Sequence, residues 1–166
     1  MNSFEANDNR KVIGKWVKSV TVNNITYYYP FKYKIGRVNV PASEYSMVLR
    51  LAEVFLIRAE ARAQQNIIDG AKFDINLIRT RAGLGNTTAD DKASLLAAIL
   101  HERQVELFTE WGHRWFDMKR SESLDAIMTP ICTQKGGTWM TTAQLYPIPT
   151  FELGLNSNLI QNPGYQ

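Results

Sequence analysis

Apolar and polar residues alternate along the first part of the chain. In residues 18–29 (KSVTVNNITYYY) this alternation runs on both sides of Asn23 and Asn24. Alternation is typical of strands, and an Asn pair tolerates the positive φ that a tight turn requires. The pattern therefore predicts a two-stranded antiparallel hairpin. Pro30 and Pro41 follow it, so residues 30–43 are expected to be extended or looped.

Helical patterning begins at Glu44. Residues 44–65 (EYSMVLRLAEVFLIRAEARAQQ) are rich in Ala, Leu, Glu and Arg, and Ser43 is the expected N-cap. A second helix is predicted over residues 69–82 because Gly83 marks a C-terminal break. A third is predicted over residues 89–110, opened by Thr88 with an acid three residues later.

The last part of the chain carries weaker patterns. Residues 113–120 (HRWFDMKR) are expected to form a short fourth helix, and after Leu124 the helical pattern decays. Turn-forming Gly and Pro residues then predict an extended tail over the surface. The expected fold class is mainly α, a single domain over residues 1–166. It comprises a hairpin and loop arm (1–43), a helical core (44–124) and wrapping loops with a tail (125–166).

Charge is distributed unevenly. The net charge is +3, yet residues 1–37 hold seven Lys/Arg against two Asp/Glu, which leaves twelve against fourteen for the rest. The basic surplus is thus a property of the arm.

Cys132 is the single cysteine, so the sequence excludes an internal disulfide framework and a cysteine-based zinc cluster.

Three carboxylates share one stripe of the third predicted helix. Glu102, Glu106 and Glu110 follow one another at four-residue steps, where like charges repel. They need cationic partners, and arginine suits a desolvated contact between helices because its planar fork bonds a carboxylate at two points. We expect a polar lattice between packed helices, with partners drawn from Arg50, Arg58, Arg62, Arg79, Arg81, Arg103 and Arg114.

A catalytic interpretation of the same stripe is weaker. HERQV begins like the zinc-binding pattern His-Glu-x-x-His, but Val105 replaces the second ligand. Glu102 and Glu106 could be drawn as a carboxylate pair for glycosidic cleavage, as in any acidic helix. The sequence has no Ser or Cys nucleophile motif, phosphate loop or dinucleotide fingerprint. We therefore expect no catalysis and no cofactor.

Aromatic residues in loop and hairpin contexts are the candidate binding residues. Exposed rings stack on the apolar faces of sugars or on bases. Trp16, Tyr28 and Trp139 are the substrate-binding residues that we select on this ground.

Five motifs, in order along the chain, resemble the C-terminal part of the SusD/RagB family. They are LRLAEVFLIRAEARAQ, INLIRTRAGL, ILHERQVELFTEWGHRWFDMKR, LYPIP and NSNLIQNPGYQ. The resemblance implies a tetratricopeptide-like helical scaffold that binds glycans without cleaving them and without a metal or organic cofactor. It assigns a scaffold role to the family's motif residues, which here are Glu53, Glu60, Arg79, Arg81, Glu102, Arg103, Glu106, Glu110, Arg114, Trp115, Asp117 and Arg120.

The resemblance also implies a place and a partner. Family members are lipoproteins at the outer-membrane surface of Bacteroidetes, where they deliver oligosaccharides to a SusC-type TonB-dependent transporter. They are several times longer than this chain and begin with a lipoprotein signal, which the start MNSFEANDNR does not match. We expect this chain to be the C-terminal portion of such a protein, anchored only through a lipid that this chain does not carry.

Other functions remain open from the residues alone. A helical-repeat adaptor for a peptide or protein is the main alternative, since helix pairs commonly serve that role. Nucleic-acid binding is not expected, although the arm would be its site because Lys15, Lys18, Lys32, Lys34 and Arg37 interleave with aromatic residues.

Overall fold

The protein is mainly helical in a computed structural model that describes residues 1–35, 41 and 43–165. The predicted loop at residues 36–40 and 42, including Arg37, lies outside the described residues. The elements are β1 (Val17–Val22), β2 (Ile25–Pro30), α1 (Leu51–Gln64), α2 (Ile68–Arg81), α3 (Lys92–Glu106), α4 (His113–Arg120), α5 (Leu124–Gln134) and α6 (Thr150–Leu155). In the described part of the chain, no helix combines the length and apolarity needed to cross a membrane.

The chain divides into two compact units. The first comprises residues 1–113, which include the hairpin and α1 to α3, and the second comprises residues 114–166. The predicted division of one domain into arm, core and tail thus stays a prediction, and the observed boundary falls earlier than residue 125.

The hairpin forms as predicted. β1 and β2 pair antiparallel in a register that places Val22 opposite Ile25. Asn23 and Asn24 occupy the turn with φ of 49° and 62°, which an Asn side chain tolerates better than most others. Val17 is the buried residue of β1, whereas every residue of β2 is exposed.

Helices α1, α2 and α3 enclose the core of the first unit. Its fully buried large side chains include Leu56 of α1, Ile75 of α2, and Leu95 and Ile99 of α3. Small residues on α1 and α2 let the backbones approach closely, with Ala52, Ala59, Ala63 and Ala71 among the buried residues. The apolar faces of these helices are therefore used for packing.

The first helix begins later than predicted, at Leu51 instead of Glu44. Tertiary hydrogen bonds occupy the preceding segment. The Glu44 carboxylate accepts from the backbone N–H groups of Lys34 and Ile35, at 2.7 and 2.8 Å. Met47 donates its N–H to the Tyr33 hydroxyl at 3.1 Å. These contacts override the helix propensity of residues 44–50.

The third helix is shorter than predicted at both ends. It begins at Lys92 because the capping box consists of Asp91 and Ser94, not of Thr88 and Asp91. It ends at Glu106, and the residues beyond include Thr109 and Trp111 with φ of 61° and 39°. Such left-handed backbone cannot continue a helix.

The prediction of a non-helical region over residues 125–166 was wrong. α5 and α6 lie there, together with a 3₁₀ turn at Thr141–Gln144. Pro130 is accommodated inside α5, although proline usually breaks a helix interior.

Gly83 provides a test of how α2 ends. Its φ of 80° is unfavourable for a residue with a Cβ, and a Cβ there would collide with the side chain of Asn9. We expect Gly83→Ala to lower the free energy of unfolding by about 1–2 kcal/mol. Gly85→Ala is the control, because a Cβ at Gly85 meets nothing within 4 Å. Equal urea midpoints for the two variants would contradict this account.

Candidate functional site

The centre of the first unit is a lattice of carboxylates and cations around α3. Glu106 has no exposed surface, and its Oε1 accepts from Arg50 at 2.8 Å and from Arg81 at 2.5 Å. Its Oε2 accepts from Arg10 at 3.0 Å. The predicted pairing of Glu106 with Arg50 and Arg81 is confirmed.

Arg10 reaches the lattice from the N-terminal segment. Its NH1 donates to Glu102 at 2.5 Å as well as to Glu106, while its Nε and NH2 donate to Asp8. Both Arg10 and Asp8 are buried. One guanidinium therefore joins three carboxylates from two distant parts of the chain.

Glu110 binds further cations beyond the end of α3. It accepts from Lys32 Nζ at 2.6 Å and from Arg50 Nε at 2.9 Å. Lys32 Nζ also donates to the carbonyl of Glu106 and lies 4.5 Å from the centre of the Trp16 ring. Burial lowers the pKa of Lys32 to about 8, against the opposing effect of Glu110. The arm thus supplies two cations to the acidic stripe.

The two carboxylates on α3 differ in their protonation equilibria. Burial alone raises the pKa of Glu106, but hydrogen bonds from Arg81 and Arg50 outweigh it, so the pKa is lowered. At Glu102 burial outweighs Arg10, and the pKa is raised. Glu102 Oε2 makes no hydrogen bond, and its nearest cation is Arg79 NH1 at 3.5 Å. Such a pattern is typical of a structural network as well as of active sites.

Other predicted arginine partners bind different acids. Arg58 and Arg62 of α1 both bind Asp74 of α2, which is fully buried, at 2.7 Å. Arg103 lies 3.6 Å from Glu53. Arg58 and Arg62 thus join α1 to α2 instead of binding the stripe, because α2 carries an acid of its own.

A surface pocket of about 310 Å³ lies beside the lattice. Trp16 contributes an aromatic wall, and Arg10, Lys15 and Arg81 contribute cations. Its remaining lining residues are Asn9 and Ala82. We call it the Trp16 pocket. It combines a flat apolar ring with hydrogen-bond donors, which is the chemistry that sugar binding requires.

A second, more apolar pocket of about 190 Å³ contains Tyr28. It is lined by Met1, Phe4, Val17, Tyr28, Tyr29, Pro30 and Phe108. The rings of Phe108 and Trp16 have centroids 6.3 Å apart. This Tyr28 pocket and the Trp16 pocket are therefore neighbours, so two of the rings selected from the sequence come close together.

Trp139 belongs to the second unit. Its Nε1 donates to Asp125 at 2.6 Å, and Gln144 donates to the other oxygen of that carboxylate at 2.9 Å. Trp115 lies edge-on to its ring, with centroids 6.3 Å apart. Gln144 also lines a pocket of about 310 Å³ with Thr141, Thr142, Leu145 and Pro163. Trp139 itself is held by Asp125, which also binds the pocket residue Gln144.

Among residues 1–35, 41 and 43–165, no group of three or more His, Cys, Asp or Glu side chains is arranged to hold a metal ion. The residues of the lattice and the Trp16 pocket that sequence reasoning missed are Asp8, Asn9, Arg10 and, as a lattice cation, Lys32. The one signal that pointed toward them was the basic surplus of the arm beside the acidic surplus elsewhere.

Comparison with known proteins establishes the family. Residues 7–165 match the model of the SusD family, so the chain belongs to that family. It is 30% identical over 153 residues to SusD-like protein P2 of Formosa agariphila, covering 86% of this chain and 30% of that protein. It is 32% identical over 124 residues to starch-binding protein SusD of Bacteroides thetaiotaomicron, covering 72% of this chain and 21% of that protein.

Solved structures agree in fold. A SusD superfamily protein from Parabacteroides distasonis matches with a TM-score of 0.79 and 26% identity, over 99% of this chain and 40% of that one. Another from Bacteroides vulgatus matches with a TM-score of 0.65 and 27% identity, over 75% and 29%. These matches confirm the SusD-like, mainly helical fold. The chain spans less than half the length of each of these four relatives.

Removing Glu106 tests the lattice. In Glu106→Ala the guanidinium groups of Arg10, Arg50 and Arg81 lose a shared buried partner, so we expect unfolding to become easier by about 3–5 kcal/mol. Urea denaturation measures the change. Asp90→Ala removes an exposed acid with the same charge and should stay within about 0.5 kcal/mol of the native protein. An unchanged midpoint for Glu106→Ala would contradict a structural role.

Lys32 gives a pH-dependent prediction. Its pKa is about 8 in the fold and about 10.5 when unfolded, so between these values the unfolded state binds more protons. The free energy of unfolding contributed by Lys32 should therefore rise with pH across that window. We expect the stability difference between the native protein and Lys32→Met to shift in favour of the native protein from pH 7.5 to 10. Lys92→Met, which removes a lysine at an exposed position, is the matched control variant.

Proposed function

We propose that the protein binds oligosaccharide or polysaccharide chains without cleaving them. The observation that carries this proposal is the pair of neighbouring aromatic pockets around Trp16 and Tyr28, in a chain that belongs to the SusD family. Adjacent ring-lined pockets suit a ligand made of repeated sugar units. Starch-binding protein SusD, a relative, carries a name that states glycan binding.

A binding role fits the lattice better than catalysis does. Glu102 and Glu106 are the acids that would serve as a carboxylate pair, and both have no exposed surface. Three arginines occupy the oxygens of Glu106. A carboxylate held in this way is poorly placed to reach a glycosidic oxygen, which needs a group within hydrogen-bond distance. In this proposal the carboxylates shape the Trp16 pocket.

The cellular role that we propose is the one that membership in the SusD family implies. The protein acts at the outer-membrane surface and passes its glycan to a SusC-type TonB-dependent transporter. Membership in the SusD family supports this role. Trp16, Tyr28 and Trp139 are the proposed substrate-binding residues, with Trp139 in a separate site of the second unit.

A helical-repeat adaptor is the second candidate function. It is supported by apolar side chains exposed on the first two helices, namely Leu51, Val54 and Ile57 of α1 and Phe73 of α2. Exposed apolar surface of this kind marks sites of protein association. If this surface were the functional one, Val54→Asp would abolish capture of a protein partner and leave retention by polysaccharides unchanged.

Native affinity gels test the glycan proposal. Gels cast with starch, inulin, xylan, mucin glycans and pectins should retard the folded protein in at least one case. Tyr28→Ala and Trp16→Ala should each weaken retention about tenfold, since an aromatic stacking platform contributes about 1–3 kcal/mol per ring. Tyr27→Ala is the control, because Tyr27 is an exposed ring of the same strand that lines neither the Tyr28 pocket nor the Trp16 pocket.

Equal retention of Tyr27→Ala and Tyr28→Ala would contradict a site at the Tyr28 pocket. Trp139→Ala tests the second unit separately. Release of reducing ends from any of these polymers would contradict the absence of catalysis.

A further inference from the structure

The charged side chains that line the Trp16 pocket all have one sign. Arg10, Lys15 and Arg81 line it, and no carboxylate does. This asymmetry contrasts with the lattice behind it, in which acids and bases alternate.

The acidic side chains are buried, whereas two of the three cations that line the pocket, Lys15 and Arg81, are exposed. Glu106 and Asp8, which bind these arginines, are almost completely buried, so their charge is directed into the fold. The Arg81 side chain remains 50% exposed and uses only NH2 to bind Glu106. Lys15 is exposed and has no ion pair among the described residues. The surface of the pocket is therefore cationic, although the lattice as a whole is close to neutral.

Two cations hold the Trp16 ring, which is the aromatic wall of the pocket, in place. Lys32 Nζ lies 4.5 Å and Arg81 Cζ 5.9 Å from the centre of the Trp16 ring. Cations over an aromatic face attract it electrostatically and restrict its movement. A preorganised ring loses less entropy when a ligand packs on it.

The dimensions suit a saccharide segment. At about 310 Å³, the pocket lies at the lower end of the range of about 300–1,000 Å³ for small-molecule sites. A pyranose ring presents apolar C–H groups to Trp16. A negative substituent on the same ring would then face Lys15 and the free side of the Arg81 guanidinium, which bonds carboxylate and sulfate oxygens well.

We infer that the Trp16 pocket binds an anionic saccharide, in which a carboxylate or a sulfate ester on the sugar ring contacts Lys15 and Arg81. This inference rests on the proposed glycan-binding function and specifies the ligand class of one of its sites. The negative group is the common requirement, whether it comes from a uronic acid or from a sulfated sugar.

Matched pairs of polymers test the charge requirement. Polygalacturonate is compared with its methyl ester, which is neutral, and dextran sulfate with dextran. Retention of the native protein in affinity gels at low salt should be at least about fivefold stronger for the charged member of one pair. The pectin pair reports on uronic acids, and the dextran pair reports on sulfate. Preference for a charged member should decrease as salt is raised.

Lys15→Gln supplies the decisive variant, since Lys15 is exposed and its replacement leaves the lattice intact. It should weaken retention by the charged polymer about fivefold or more, and retention by its neutral partner by a clearly smaller factor. Lys92→Gln makes the same charge change at the start of α3, outside the pocket, and should retain full binding. Trp16→Ala should reduce retention by the charged polymer, provided that circular dichroism shows a folded protein.

The outcomes separate this inference from the proposed function. Retention by neutral polymers that equals or exceeds retention by charged ones would overturn the inference and leave glycan binding intact. Equal weakening by Lys15→Gln and Lys92→Gln would also overturn it, because binding would then reflect net charge alone. If the folded protein binds none of these polymers and none of the polysaccharides tested under the proposed function, both the inference and the proposed function fail.

Discussion

Two carboxylates without exposed surface, Glu102 and Glu106, determine how the first unit is assembled. Burying an unpaired carboxylate costs several kcal/mol, so both must receive cations from outside their own helix. Arg50 comes from the residue before α1, Arg81 from the end of α2 and Arg10 from the N-terminal segment. The N-terminal segment, α1 and α2 are therefore each connected to α3. At the Trp16 pocket, Arg81 binds Glu106 on its inner side and still presents its outer side to solvent.

Local sequence patterns correctly predicted the elements whose ends are set by nearby residues. The predicted second helix differs from α2 by one residue at each end, since Gly83 supplies the positive φ that terminates it. The hairpin turn at Asn23 and Asn24 was likewise readable from residue type. The start of α1 was not, because Glu44 and Met47 bond to groups nine or more residues away along the chain. Helix propensity carries no information about such partners.

The sequence predicted the chemistry of the candidate site, but it identified only some of the residues that form it. Four-residue spacing identified the acids, and arginine enrichment identified Arg50 and Arg81 as partners. Arg10 and Lys32 were missed because nothing in their local sequence distinguishes a lattice cation from a solvated one. Their signal was global, namely the basic surplus of the arm against the acidic surplus of the remainder. Trp16 and Tyr28 were identified as rings in loop or hairpin contexts, whereas their proximity through Phe108 depends on tertiary structure.

The ion pairs of Arg10 with Glu102 and Glu106 join residues 92 and 96 positions apart. Closing so long a loop costs entropy that a two-stranded hairpin of neighbouring residues does not incur. During synthesis the N-terminal segment therefore leaves the ribosome long before its carboxylate partners exist. The buried ion pairs of Arg10 with α3 can therefore form only after α3 has been synthesised, whereas the contacts of the same segment with the end of α2 can form earlier. The order of translation thus places the completion of the lattice after the synthesis of the hairpin, α1 and α2.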